Sequence, residues 1–308
     1  MRVLVTGAGG FVGRYIQPKL QQQGWDVLAA DHSTLDIMDA AAIGRVIREY
    51  QPDAVIHLAA QSNVGASWSL PVLTAEVNIV GSVKLYTEFA KLNPKGLFLY
   101  VGSSDVYGMT AKQEAVLAED MPCAPQNPYA ISKLAAEKML LQMEHKYKTP
   151  VICTRSFNHY GPGQNRGFVV SDFASQLAAI KLGYQEPVIA VGNLMAEREF
   201  LYVDDVAEAY TILVAKNAPS GIYNVATSKA VSIDSILKRL VAISGVDVEI
   251  RVDERKLRPV DVKAFCGSHE KMAQLGWAPK TALEEGLTRT FDYWIRRCQE
   301  EHESGNCP

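Results

Sequence analysis

A short apolar run, Arg2-Val-Leu-Val-Thr6, leads directly into Gly7-Ala-Gly-Gly10-Phe11-Val12-Gly13 and then into a segment carrying Tyr15, Ile16 and Leu20. A strand, a glycine-rich turn and a helix in this order let backbone approach a pyrophosphate and aim a helix N-terminus at it. The glycines are spaced G-x-x-G-x-x-G, not the commoner G-x-G-x-x-G, so the reading rests on the strand–turn–helix context. Gly7, Gly10, Phe11, Val12 and Gly13 are candidate cofactor contacts. The competing reading is a glycine-rich turn with no ligand.

Further apolar runs follow at intervals that a parallel sheet requires. Asp26–Ala30 reads as a second strand ending at Asp31, where a carboxylate can accept from both ribose hydroxyls of NAD and would repel the 2′-phosphate of NADP. His32 beside it would soften that exclusion. Asp36-Ile37 is expected to be a short strand end near an adenine edge, and Asp39 caps a helix carrying Ile43, Val46 and Ile47. Ala54–Ala60 is the next buried strand, with Leu58, Ala59 and Ala60 as cofactor candidates and His57 as a satisfied core residue. A long helix over Val72–Leu92 holds Asn78, a further cofactor candidate. Gly96–Val101, Val151–Arg155 and Gly221–Val225 complete the strands.

Strands alternating with helices of ten or more residues signify βαβ units. The fold class is therefore α/β: a Rossmann-like, doubly wound parallel sheet with a smaller C-terminal α/β domain for substrate. Residues 1–160, with 199–225 returning, are assigned to the dinucleotide-binding domain, and 161–198 and 226–308 to the substrate domain. The tail Glu300–Pro308 is polar and expected to fray.

Composition narrows the function classes. A net charge of −3 gives no electrostatic reason to expect nucleic acid or an anionic membrane as partner. The five cysteines are scattered without C-x-x-C spacing, which speaks against a disulfide framework or a zinc site. No apolar run reaches the roughly 18 residues of a membrane span. A cytoplasmic, metal-free protein is expected.

Chemistry concentrates in Asn127-Pro-Tyr129-Ala-Ile-Ser-Lys133, which opens a run of good helix formers. Tyr129 and Lys133, four apart, share one helix face. A free tyrosine, with a pKa of about 10, is a poor proton donor or acceptor near neutrality. An ammonium beside it is expected to lower that value. Upstream, Gly102-Ser103-Ser104-Asp105-Val106-Tyr107-Gly108 follows a strand, the end of a parallel sheet where ligands sit.

The glycine motif, Ser103, Tyr129 and Lys133, in that order, resemble the extended branch of the short-chain dehydrogenase/reductases over nearly the whole chain. Asn158 in its loop, Arg198-x-Phe-Leu-Tyr-Val-Asp-Asp and Arg258-Pro-x-Asp261 are similar to segments of nucleotide-sugar enzymes. That resemblance implies that Asn158, Arg198 and Arg258 hold a substrate pyrophosphate and Asp261 a ribose. Lys181 and Asn193, in Lys-Leu-Gly and Gly-Asn-Leu segments, are further substrate candidates. Phe157-Asn-His-Tyr-Gly161-Pro-Gly-Gln164 is most similar to the GDP-6-deoxy-4-keto-D-mannose reductases. The related GDP-mannose 4,6-dehydratases carry Ser-Pro-Arg-Arg-Gly after Asn-His. They also place a glutamate as C5 base where this chain has Asp105.

The resemblance implies hydride delivery from NADH or NADPH, with NADH favoured by Asp31, to a GDP-linked 4-keto-6-deoxyhexose. Tyr129 would give the proton, with Lys133 as its electrostatic partner and Ser103 on the developing alkoxide; Asp105 completes the candidate catalytic set. The dehydratase is the alternative, and an epimerase or a dinucleotide-sensing protein is a more distant one. Family habit and apolar stretches near Val72–Leu92 and Leu134–Met143 lead to the expectation of a homodimer.

Overall fold

Strand order decides where a ligand can sit on an open parallel sheet. The computed structural model describes residues 1–114, 116–256, 262 and 264–305. Strands β1 (Arg2–Thr6), β2 (Asp26–Ala30), β3 (Ala54–His57), β4 (Leu97–Val101), β5 (Val151–Ser156) and β6 (Gly221–Val225) form one sheet in the order β6-β5-β4-β3-β1-β2. Every pairing in it is parallel. The connections change direction between β1 and β3, so a crevice opens at their C-terminal ends.

Helices cover both faces, which is why β1, β3 and β4 are mostly apolar. Helices α1 (Phe11–Gln22), α2 (Ala40–Tyr50), α3 (Ser82–Leu92), α4 (Pro128–Tyr147), α5 (Val169–Lys181), α6 (Val203–Ala215), α7 (Ile233–Ser244) and α8 (Leu283–Glu303) are the long ones. Ile16 and Leu20 of α1 and Val206, Tyr210 and Leu213 of α6 bury against one face of the sheet. Ile43, Ile47, Leu85, Phe89, Ala136 and Leu140 from α2, α3 and α4 bury against the other. Asp39 caps α2 as expected, accepting from the amides of Ala41 and Ala42.

Outside the main sheet, Val188–Val191 pairs parallel with Glu249–Val252. Glu197–Arg198 lies between Val231–Ser232 and Ala264–Phe265. Around these, α5, α7 and α8 build a separate core from Phe173, Leu177, Leu237, Leu240, Phe291 and Trp294.

Four expectations about elements need correction. The third strand stops at His57, and 58–60 leave the sheet as loop. Asp36-Ile37 forms no strand; Asp36 instead accepts from the amide of Met38 in a turn, with Ile37 buried against Gly81. The helix predicted over Val72–Leu92 begins at Pro71 and widens to π geometry over Glu76–Gly81 before α3. The polar tail does not fray at Glu300, because α8 runs on to Glu303. There Glu301 is held by Arg166 and Arg297.

One buried ion pair fixes α4 on the sheet. The Arg155 guanidinium on β5 donates twice to Glu137 on α4, at 2.9 and 2.8 Å, and once to the Glu119 carbonyl at 3.2 Å. Both side chains are 1 % exposed, and the guanidinium lies over the Tyr107 ring. Removing one partner strands a buried charge, which costs about 3–5 kcal/mol. Glu137→Leu should lower stability to urea by that amount, and adding Arg155→Met should recover part of the loss. Wild-type stability in Glu137→Leu would show that the pair does not anchor the helix.

Candidate active site

The glycine turn fits a dinucleotide by its own close approaches. Gly7 has φ +69°, and a Cβ there would lie 2.7 Å from the Ala59 amide nitrogen. Only glycine lets the turn after β1 close on the loop after β3 in this way. A Cβ on Gly13 would strike the carbonyls of Gly7 and Ala8. No side chain caps the N-terminus of α1, and its first turn carries no acidic residue. Those first amides and the helix dipole suit a pyrophosphate.

Asp31 stands beside this turn, its carboxylate within 3.8 Å of where a Gly9 Cβ would be. One oxygen accepts from the Ser33 hydroxyl and amide and from the Thr34 amide. The Ser33 bonds foremost hold its carboxyl below the usual range, so the group is anionic. His32 is exposed next to it. Phe11 stacks on His159 at 6.0 Å, tying the turn to the Asn158 loop, and Val12 packs into the core.

At the end of β4, Ser103 caps a single turn over Ser104–Tyr107 and accepts from the Asp105 amide at 3.2 Å. Pro128 opens α4 behind an Asn127 cap that accepts from the Ala130 amide. This places Tyr129 beside Ser103, whose hydroxyl acts to lower the phenol's pKa. Burial, followed by the nearby Asp105 carboxylate, pushes the phenol well above its usual value, with Ser103 opposing. Lys133, also buried, donates to the Val101 carbonyl at 2.9 Å and lies 5.0 Å from the Tyr100 ring centre. Burial pulls its ammonium down to about 8. The expectation that Lys133 would lower the Tyr129 value is thus corrected: burial raises it, and the ammonium is directed to a backbone carbonyl.

Asn78 is 1 % exposed and braces the site. Its side chain accepts from the Gln61 amide and donates to the Gln61 carbonyl and the Ser132 hydroxyl. Leu58 and Ala60 flank Ala59, whose amide reaches the Thr6 hydroxyl at 3.4 Å.

The substrate candidates divide by position. Asn158 is exposed, and its carbonyl accepts from the Leu201 amide. Asn193 is exposed and caps the Met195 amide. Arg198 donates to the carbonyls of Glu197 and Val262. Lys181, at the C-terminal end of α5, donates to the Ser244 carbonyl and lies over Phe291, which gives it a packing role between helices. Arg258 and Asp261 lie outside the described residues. Sequence reasoning passed over Asn127 as a cap, Ser132 and the Glu137–Arg155 pair. The spacing of Tyr129, Lys133 and Glu137, each four apart, is the signal that would have found Glu137.

The chain matches the family model described as GDP-mannose 4,6 dehydratase over residues 30–290. It is 35% identical over 303 residues to the GDP-6-deoxy-D-mannose reductase of Pseudomonas aeruginosa, covering 97% of this chain and 99% of that one. The mouse dTDP-D-glucose 4,6-dehydratase is 31% identical, over 96% of this chain and 89% of its own length. Among solved structures, RMD from Pseudomonas aeruginosa complexed with NADPH superposes with a TM-score of 0.90 at 34% identity, covering 96% and 99% of the two chains. A Thermus thermophilus UDP-glucose 4-epimerase complexed with NAD gives 0.86 at 29% identity, over the same shares.

The depressed Lys133 value has a definite sign. Between about 8 and the ordinary lysine value, the unfolded chain binds a proton that the folded one does not, so stability rises with pH there. Below that window both states are charged and the burial cost is constant. Urea midpoints of the wild type relative to Lys133→Met should therefore climb as pH rises through 8 to about 10. A difference independent of pH would contradict the burial of this ammonium.

Proposed function

The chain belongs to the GDP-mannose 4,6-dehydratase family, within the extended short-chain dehydrogenase/reductases, and we propose that it reduces the C4 ketone of GDP-6-deoxy-4-keto-D-mannose to give GDP-D-rhamnose. The observation that carries this is the buried Tyr129 phenol beside Ser103 at the end of β4, with buried Lys133 one turn further along α4. The near-full-length similarity to a reductase of that sugar supports the substrate.

A reduced nicotinamide supplies the hydride. In this reading the turn at Gly7, Gly10 and Gly13 and the amides of α1 hold its pyrophosphate. Tyr129, kept protonated by burial, is poised to donate a proton to the sugar oxygen. Ser103 donates a hydrogen bond to that oxygen as charge develops. Lys133 holds the nicotinamide ribose and places positive charge behind the phenol, which steadies the phenolate that remains. Asn158, Asn193, Arg198, Arg258 and Asp261 bind the nucleoside diphosphate. The guanidinium fork matches phosphate geometry. Asp31 favours NADH, although the related reductase was solved with NADPH. The division at 1–160 with 199–225, against 161–198 with 226–308, assigns cofactor and substrate to separate parts. Among the described residues no helix is long and apolar enough to cross a membrane; we assign the chain to the cytoplasm.

Asp105 favours reduction over dehydration. A dehydratase must also remove the C5 proton, and aspartate in place of glutamate withdraws the carboxylate by about 1.5 Å. Misplacement of about 1 Å costs on the order of 10²-fold. The decisive assay incubates the protein with the 4-keto-6-deoxy sugar nucleotide and each reduced nicotinamide, then identifies the product. Tyr129→Phe should lose 10²–10⁴-fold in turnover, on the order expected for a lost general acid. Asp105→Asn should lose about tenfold or less, and NADH should serve at least as well as NADPH. Near-normal turnover of Tyr129→Phe, or water elimination from GDP-mannose abolished by Asp105→Asn, would reject the reductase.

Trp68 and Val72 are 64% and 69% exposed, next to exposed Leu73, Ile131 and Met139. They lie on the short helices Val64–Ser69 and Pro71–Ala75 and on α4, which pack together. Such an apolar face suits a second copy of the chain. Sedimentation equilibrium should give a dimer for the wild type and a monomer for Trp68→Glu/Ile131→Glu. A monomeric wild type would remove this assignment.

A further inference from the structure

Glu199, where the chain passes from the substrate part back to the dinucleotide part, has no exposed surface. It comes directly after the strand Glu197–Arg198, and its side chain reaches two distant loops. One oxygen accepts from the Gly267 amide at 2.6 Å. The other accepts from the Thr227 amide at 2.6 Å and lies 3.1 Å from the Thr227 hydroxyl. Burial pushes the Glu199 pKa up, and these two loops, with the nearby Cys266 thiol, act against that. A buried carboxylate is retained at such cost only where donors satisfy it, and losing it would orphan two backbone amides.

The two loops are also clipped to each other. The Ser228 hydroxyl meets His269 Nδ1 at 2.6 Å and accepts from the His269 amide. The first loop continues directly from β6, at the seam with the dinucleotide half, and the second follows Ala264–Phe265, which pairs with Glu197–Arg198. The amide of Leu117 and that of Ser268 bond across the same seam, to the Cys266 and Leu117 carbonyls. Arg198 itself is anchored on the Val262 carbonyl at 2.8 Å. One carboxylate thus sets the spacing between β6, the Arg198 strand and the strand that leads away from Val262.

We propose that Glu199 is a positioning residue for nucleoside-diphosphate binding: it never meets the ligand, and it fixes the Thr227 and Gly267 loops so that Arg198 keeps its place. This rests on the assignment of Arg198 to the substrate under the proposed function. Glu199→Gln keeps the size but turns an N–H₂ group toward a backbone amide, so the loops must separate. Calorimetric titration with GDP should show affinity at least tenfold weaker in Glu199→Gln. KM for the sugar nucleotide should rise in parallel, with kcat and NADPH affinity within about twofold of wild type. Thr227→Val, which keeps the amide contact, should lose less than about threefold. Glu199→Asp provides a second carboxylate variant should Glu199→Gln fail to fold, with GDP affinity falling at least tenfold there too. Unchanged GDP affinity in a folded Glu199 variant, or an equal loss of NADPH affinity, would overturn the proposal. A wild type that binds NADPH and no GDP would instead overturn the reading of the substrate.

Discussion

His57, with both ring nitrogens engaged inside the sheet, fixes the geometry on which the rest of the site depends. Nδ1 lies 2.7 Å from the Thr6 hydroxyl and Nε2 lies 2.8 Å from the Ser82 hydroxyl. Ser82 has one proton, and it donates it to the Asn78 carbonyl at 2.7 Å. His57 must then carry its proton on Nε2 and accept from Thr6 at Nδ1. Burial, and next the Lys133 charge, pull its pKa down to about 3, so the ring stays neutral and the chain keeps this polarity. Asn78 passes the connection to Ser132, which donates to the Tyr129 carbonyl at 2.7 Å. The end of β1, the end of β3, the π-helical stretch and the start of α4 are therefore held in one hydrogen-bonded line.

Such a line explains the π geometry over Glu76–Gly81. Asn78 must meet Gln61 and Ser132 while Gly81 closes on Ile37, where a Cβ would approach the Ile37 side chain to 2.8 Å. A π turn inserts one residue and rotates the side chains that follow, letting both contacts be met. It also accounts for the behaviour of the two ionisable groups at the centre. Tyr129 and Lys133 are buried among satisfied dipoles, so each is driven toward its neutral form. In that low-dielectric setting a charge that appears during reaction is felt strongly by its neighbours.

Much of this was legible in the chain because it rests on local rules. Short apolar runs marked five of the six sheet strands to within a residue, and Asp39 announced its cap. The shared face of Tyr129 and Lys133 was visible because residues four apart on a helix lie one turn from each other. What the sequence hid was decided by long-range geometry. The Tyr129 shift follows from burial by segments far away in the chain, which no local spacing encodes. The turn at Asp36 looked like a strand because Ile37 is buried, but burial under Gly81 is not burial in a sheet. Lys181 looked like a ligand from its motif, yet its position at the end of α5 gives it the Ser244 carbonyl instead.

The substrate side follows a different logic from the cofactor side. The cofactor crevice is built from strand ends locked by the sheet itself. On the substrate side the described chain is held by two tethers, each made by a side chain. On one side Lys256 reaches Asp172 at 3.3 Å and the Ala190 carbonyl at 3.1 Å. On the other, Arg198 holds the Val262 carbonyl and Glu199 holds the Gly267 amide. The Lys256 pair is partly exposed, and such pairs contribute only about 0–1 kcal/mol. The Glu199 side is wholly buried, where a lost hydrogen bond costs more. Among the described residues, the tether on the Arg198 side is therefore the firmer one: a buried carboxylate holds two backbone amides there, while the Lys256 contact is partly open to solvent.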